Sequence, residues 1–238
     1  MSCIVVCALF FIKSPSIRRS DAISDVSWPN CNTKQVTYYT NGIIGVNDGL
    51  DFTGNPCLST ETSWYEKYAL YINTGYAGNK MADKFRTSPL SCDPNNSTCL
   101  AYDWGYHATE YAVDYANSMN AHSGEWWLDV ETINSWTRNS QVNRASISGA
   151  LAALHKILPF ATTGIYSTSD QWNHLTNSWQ IREPIWYAIG EGDNYQARLA
   201  CTTAYQFTGE SLWLVQYTAS IDYNVTCSNQ FSNKLSLF

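Results

Sequence analysis

Between Ile23 and Ile189 the chain repeats one pattern: a short run rich in β-branched and aromatic residues, then a longer stretch of helical or loop character. The runs are Ile23–Val26, Gly42–Val46, Ala69–Asn73, Glu125–Glu131, Thr163–Ser167 and Pro184–Ile189. Strands separated in this way cannot pair through tight turns, so they lie parallel with helices covering the sheet. The clearest helix runs from about Ser140 to Leu158, where Ile147, Leu151, Leu154 and Leu158 share one face and Pro159 ends it. Near the C-terminus the pattern changes. Tyr205–Thr208 and Leu212–Thr218 are joined by a link containing Gly209, too short for a crossover, and are expected to form a hairpin. The expected fold class is therefore α/β: an irregular TIM-type barrel of mostly parallel strands with an antiparallel C-terminal hairpin.

The apolar run Cys3–Ile12 is too short to span a bilayer and resembles the core of a secretory signal, although the first cations, Lys13, Arg18 and Arg19, follow it rather than precede it. The expected organisation is a signal-like leader over 1–22 and one barrel domain over 23–238, secreted to the extracellular side, with no membrane span. Removing Cys3 and Cys7 with the leader leaves six cysteines. Cys92 and Cys99 bracket a turn-rich stretch, and the other four fall into an early and a late pair, so the expected disulfides are Cys31–Cys57, Cys92–Cys99 and Cys201–Cys227. No C-x-x-C occurs, and the four histidines lack ligand spacing, so no metal and no cofactor is expected. In a eukaryotic exported protein the sequons at Asn95, Asn96 and Asn224 would mark exposed loops.

A formal charge of −6, with no basic cluster, gives no electrostatic reason to bind nucleic acid. Ten Trp and 16 Tyr among few charges suit stacking on sugar rings, although an aromatic core gives the same counts. Gly75–Lys80 lacks the spacing of a phosphate loop, and no G-x-S-x-G is present.

The chemistry concentrates in Glu125–Thr132. There the apolar run ends in Asp129 and Glu131, two positions apart, so on a strand both carboxylates face the same way. At the C-terminal end of a barrel strand, that is where active sites are built. Two adjacent carboxylates repel, one keeps its proton to higher pH, and an acid stands beside a base or nucleophile. The plainer reading is a strand cap whose carboxylates face water or pair with Arg138 or Arg144. Asp25, after the first strand-like segment, and Asp222, after the last, are expected at the same end, among Trp28, Tyr71, Tyr166 and Trp186.

The run Asp25-Val26-Ser27-Trp28 resembles the opening strand of glycoside hydrolase family 25 lysozymes. Trp127–Glu131 is similar to that family's D-x-E strand, and Gly164-Ile165-Tyr166-Ser167 to its G-x-Y-[ST] strand. Gln216-Tyr217 and Asp222-Tyr223-Asn224 resemble its closing elements. The likeness covers about 23–227 and is nearest to a secreted subgroup with S-W-P-x-C and N-P-C-L motifs, here Ser27–Cys31 and Asn55–Leu58. It implies a monomeric glycosidase acting on the β-1,4 bonds of peptidoglycan. Glu131 would be the general acid. Asp129 would attack the anomeric carbon or steady the substrate's acetamido group. Asp25 and Asp222 would position the substrate or polarise the catalytic pair, and Tyr166 would hydrogen-bond the acetamido group or stabilise the oxocarbenium-like charge, with Trp28, Tyr71 and Trp186 lining the cleft as substrate-binding residues. The Asn79–Cys99 loop departs from the family pattern. Two other readings stay open: a non-catalytic glycan-binding barrel, and a hydrolase of another N-acetylated polymer such as chitin.

Overall fold

The computed structural model describes residues 20–33, 39–201 and 206–227. Eight strands close into a barrel in sequence order: β1 (Ser20–Val26), β2 (Tyr39–Gly45), β3 (Lys67–Asn73), β4 (Glu125–Asp129), β5 (Thr162–Ser167), β6 (Ile185–Glu191), β7 (Leu212–Thr218) and β8 (Asp222–Thr226). Neighbours from β1 to β7 pair parallel, while β8 runs antiparallel to both β7 and β1. The helices are α1 (Leu58–Thr62), α2 (Asn79–Ala82), α3 (Ser97–Ser118), α4 (Ser140–Ile157), α5 (Ser169–Thr176) and α6 (Asn194–Ala200).

The fold class is the expected one, but the hairpin is not made from the expected strands. Tyr205 lies outside the described residues, and residues 206–210 are turn and irregular. The Thr208 carbonyl accepts from the Ile181 and Arg182 amides, and its hydroxyl donates to Glu183 O. Those groups are therefore spent on the segment before β6. β7 pairs with β8 instead, across the short link 219–221. Residues 1–19, most of the expected leader, lie outside the described residues, and β1 begins at Ser20.

The strand alternation sorts side chains into two shells. On β4, Trp126, Leu128 and Val130 just beyond it pack outward against the helices, while Trp127 joins Ile23, Ile43, Ala69 and Trp186 inside the barrel. Trp127 is fully buried, and its ring occupies the space over Gly164, where a Cβ would lie 2.2 Å from the indole. Outside, α3 and α4 cross closely. A Cβ on Gly105 would sit 2.0 Å from Ser146 O, and one on Gly149 2.0 Å from Tyr102 O, so only glycine permits that contact.

All three expected disulfides are present, Cys31–Cys57, Cys92–Cys99 and Cys201–Cys227. Among the described residues no helix is long and apolar enough to cross a membrane. The Asn224 sequon marks no exposed loop: Asn224 is buried in the barrel, where its Oδ1 accepts from Trp186 Nε1 at 2.7 Å.

Candidate active site

At the C-terminal end of the parallel strands a cleft of about 190 Å3 opens. Its lining contains all eight expected site residues: Asp25, Trp28, Tyr71, Asp129, Glu131, Tyr166, Trp186 and Asp222. Strand parity explains the convergence. Asp25, Tyr71, Asp129 and Tyr166 sit on inward steps near the ends of β1, β3, β4 and β5, and Trp186, the second residue of β6, joins them as the register partner of Tyr166. Glu131 lies one inward step beyond β4. Asp222 does not follow the last strand, as expected from sequence, but opens it. Because β8 runs antiparallel, its first residue reaches the same end as Asp25, its register partner.

Four further residues line the cleft: Ser27, Gly49, Asn73 and Gln216. Asn73 and Gln216 are the polar groups the sequence reading left without a role. Asn73 Nδ2 donates to Asp129 Oδ2 at 2.5 Å. Gln216 Nε2 donates to Asp25 Oδ2 at 2.5 Å, and its Oε1 accepts from the Tyr166 hydroxyl at 2.7 Å. Asn73 stands two residues after Tyr71 on the same face, so strand alternation is a signal that finds it. Around the rim, Gln171 Nε2 donates to Glu131 Oε1 at 3.3 Å, and the Thr218 hydroxyl donates to Asp222 Oδ1 at 2.6 Å.

Four carboxylates share this lining with no Lys, Arg or His. Burial holds Asp129 well above the usual carboxylate range, with the charges of Glu131 and Asp25 adding to it and Asn134 opposing. Burial likewise raises Glu131, opposed by the Gln171 hydrogen bond and aided by Asp222. Asp25 is held well above its ordinary value by burial and then by Asp222. Asp25, Asp129 and Glu131 therefore hold their protons to higher pH than free carboxyls do, as proton-donating chemistry requires.

The arginine pairing of the strand-cap reading is not found among the described residues. Arg144 Nε and Nη2 donate to the carbonyls of Thr176 and Asn177, at the end of α5, at 2.6 and 3.1 Å. Among the described residues neither Arg138 nor Arg144 pairs with Asp129 or Glu131. Nor does any residue of the Asn79–Cys99 loop line the cleft. That loop is built of α2, a 3-10 turn over Asp83–Phe85 and the start of α3, packed beside the barrel. A larger concavity of about 560 Å3 lies at the opposite end of the barrel, walled by Ile157, Leu158, Pro159 and Phe160, and contains none of the expected site residues.

The family described as Lysozyme-like protein 1 matches residues 95–209, a span holding Asp129, Glu131, Tyr166 and Trp186 but not Asp25, Gln216 or Asp222. The chain is 29% identical over 82 residues to the probable GH family 25 lysozyme 4 of Dictyostelium discoideum, a match spanning 34% of this chain and 37% of that protein's length. Among solved structures, the CTP1L endolysin superposes with a TM-score of 0.57 at 12% identity, over 91% of this chain and 70% of that one, which shows a shared fold. Over these spans the chain is similar in sequence to lysozyme-like and glycoside hydrolase family 25 proteins.

Proposed function

We propose that this protein is an exported glycoside hydrolase of the lysozyme type, cleaving the β-1,4 bond after N-acetylmuramic acid in peptidoglycan. One observation carries the reading: Asp129 and Glu131, an even step apart, share a polar cleft with Asp25 and Asp222 and with no cation. Export is supported by three disulfides, which persist in oxidising compartments.

In this reaction Glu131 enters protonated and gives its proton to the glycosidic oxygen as the bond from that oxygen to C1 breaks. The bonding electrons leave with the oxygen, and positive charge gathers at C1. Asp129, held by Asn73, meets that charge. It bonds C1 directly, or it steadies the substrate's acetamido oxygen as that oxygen bonds C1, and both routes retain configuration at the anomeric carbon. Glu131, now a carboxylate, takes a proton from the water that displaces the C1 bond, which restores both groups. Asp25 and Asp222 hold the field that keeps the pair from ionising together. Trp28, exposed at the mouth, offers an aromatic face to the sugar rings, while Trp186 is fully buried and supports the cleft by packing against Tyr71 and Tyr166.

The test is Glu131→Gln, which should leave fold and polymer binding intact while abolishing cell-wall clearing. Clearing that survives the change overturns the assignment. Mass analysis of a wild-type digest of purified peptidoglycan should show new reducing ends on N-acetylmuramic acid. Binding without such ends would identify a glycan-binding protein, and release from chitin alone would identify the other polymer.

A further inference from the structure

Gln216 joins two residues of the cleft that do not bond each other. Its side chain is buried on β7, with the amide nitrogen on Asp25 and the amide oxygen on the Tyr166 hydroxyl. Tyr166 cannot turn aside, because its ring packs 4.4 Å from that of Trp186, centroid to centroid. A primary amide donates only from nitrogen and accepts only at oxygen, so its neighbours fix its orientation. Ionised Asp25 only accepts, which turns the nitrogen toward it. The amide oxygen then faces Tyr166, whose hydroxyl must donate inward and show its lone pairs to the cleft.

Protonation of Asp25 on the oxygen that faces Gln216 allows each link to reverse. The carboxyl O–H donates to the amide oxygen, the amide N–H donates to the Tyr166 oxygen, and the hydroxyl proton turns out toward the substrate. We propose that Gln216 is a positioning residue that passes the protonation state of Asp25 to Tyr166. Tyr166 meets the substrate as an acceptor when Asp25 is ionised and as a donor when it is not. The inference rests on the lysozyme reading only for its consequence. There, the lone pairs face the positive charge that develops on the sugar ring, so ionised Asp25 sets the productive state.

Asp25 is faced by Asp222 from β8, Asp129 and Glu131 at and beyond the end of β4, Glu61 from α1, Tyr71 from β3 and Gln216 from β7. The carboxylates oppose its ionisation, and the Gln216 amide favours it.

The experiment has two readouts on the full chain. In carbon-13 NMR titrations, the Tyr166 ring carbon bearing the hydroxyl should shift at the midpoint of the Asp25 carboxyl. In Gln216→Met that shift should shrink by half or more, while the Asp25 midpoint moves up by roughly half a pH unit or more, since a donor to the charged form is lost. This readout needs no turnover, so it stands even if the wild type cleaves no glycan. An unchanged midpoint, or a Tyr166 shift retained in full, overturns the relay.

The second readout is kcat/KM against pH on soluble peptidoglycan oligomers. Gln216→Glu in its protonated form presents the same donor and acceptor as the amide. It should run within about threefold of wild type on the acid side and fall away as the pH rises, while Gln216→Met stays low throughout. Coincident profiles for the two variants overturn the proposal. If Gln216→Met does not fold, Gln216→Glu against wild type decides alone, and parallel profiles count against it.

Discussion

Asp25 and Asp222 are register partners across the antiparallel seam where β8 meets β1, and after burial the charge of Asp222 is the largest influence raising Asp25. The first and last strands of the barrel thus place like charges side by side at the cleft. Removing one should let the other ionise more readily. Asp222→Asn is expected to move the acidic limb of the kcat/KM profile to lower pH, because Asp25 then reaches its charged form in more acid solution. A limb that stays in place, or moves up, would separate Asp25 from the rate-controlling titration.

Asn73 makes a 2.5 Å bond to Asp129 from the neighbouring strand β3, at a position paired with it in register. A hydrogen bond to a charged partner contributes about 1.5–3 kcal/mol. If that bond serves the transition state, Asn73→Ala should lower kcat by roughly 10- to 100-fold with little change in melting temperature. Asn73→Asp should be worse, since it sets a third carboxylate against Asp129. Steady-state kinetics beside thermal melts check both. A full-rate Asn73→Ala enzyme would reduce the contact to packing.

Much of this site was legible because strand alternation is a two-state code. Once Asp129 and Glu131 fall on the inward parity of β4, their convergence at the barrel mouth follows. Apolar runs located β1 to β6 for the same reason. The hairpin was misread because Tyr205–Thr208 looks as β-prone as Asp222–Thr226, and what separates them is long-range: Thr208 is bonded to the segment before β6. The Asn224 sequon misled in the same way, since a local motif carries no record that its asparagine points inward to Trp186. Gln216 and Asn73 had no role in the reading because amides give no titratable signature. Their function lies in which carboxylate they touch.

Asp51 is a titrating group outside the cleft. It accepts from Trp104 Nε1 at 2.7 Å, and burial pushes it up to about 6. A carboxyl raised on folding stabilises the fold fully below its unfolded value, and that contribution is lost as the pH climbs through the folded value. Between about pH 4 and 6 it therefore makes stability fall with rising pH. Asp51→Asn keeps an acceptor for Trp104 and cannot ionise. It should be more stable than wild type above pH 6 by about 1–2 kcal/mol, a figure reduced because the residue is only half-buried, and equal to it near pH 4. Urea unfolding at several pH values measures the difference, and a constant offset would locate the effect outside Asp51 titration.

The disulfides should divide by their distance from the chemistry. Cys31–Cys57 ties the turn after Trp28 to the N-P-C-L segment. In that segment Asn55 Nδ2 donates to Gly45 O at 2.8 Å, at the end of β2. Cys92–Cys99 closes the loop beside α3, which leaves the cleft lining untouched. Either loss should cost roughly 2–4 kcal/mol of stability by freeing the unfolded chain, somewhat more for the longer loop. Their kinetic effects should differ. Cys31→Ala with Cys57→Ala should raise KM several-fold, because the 3-10 turn that carries Trp28 then loses its covalent tie to the N-P-C-L segment. Cys92→Ala with Cys99→Ala should leave kcat/KM within about twofold of wild type, as changes outside a site commonly do. Assays well below each variant's melting temperature separate the two quantities, and equal KM values in both double variants would show that the Cys31–Cys57 bridge does not position the cleft.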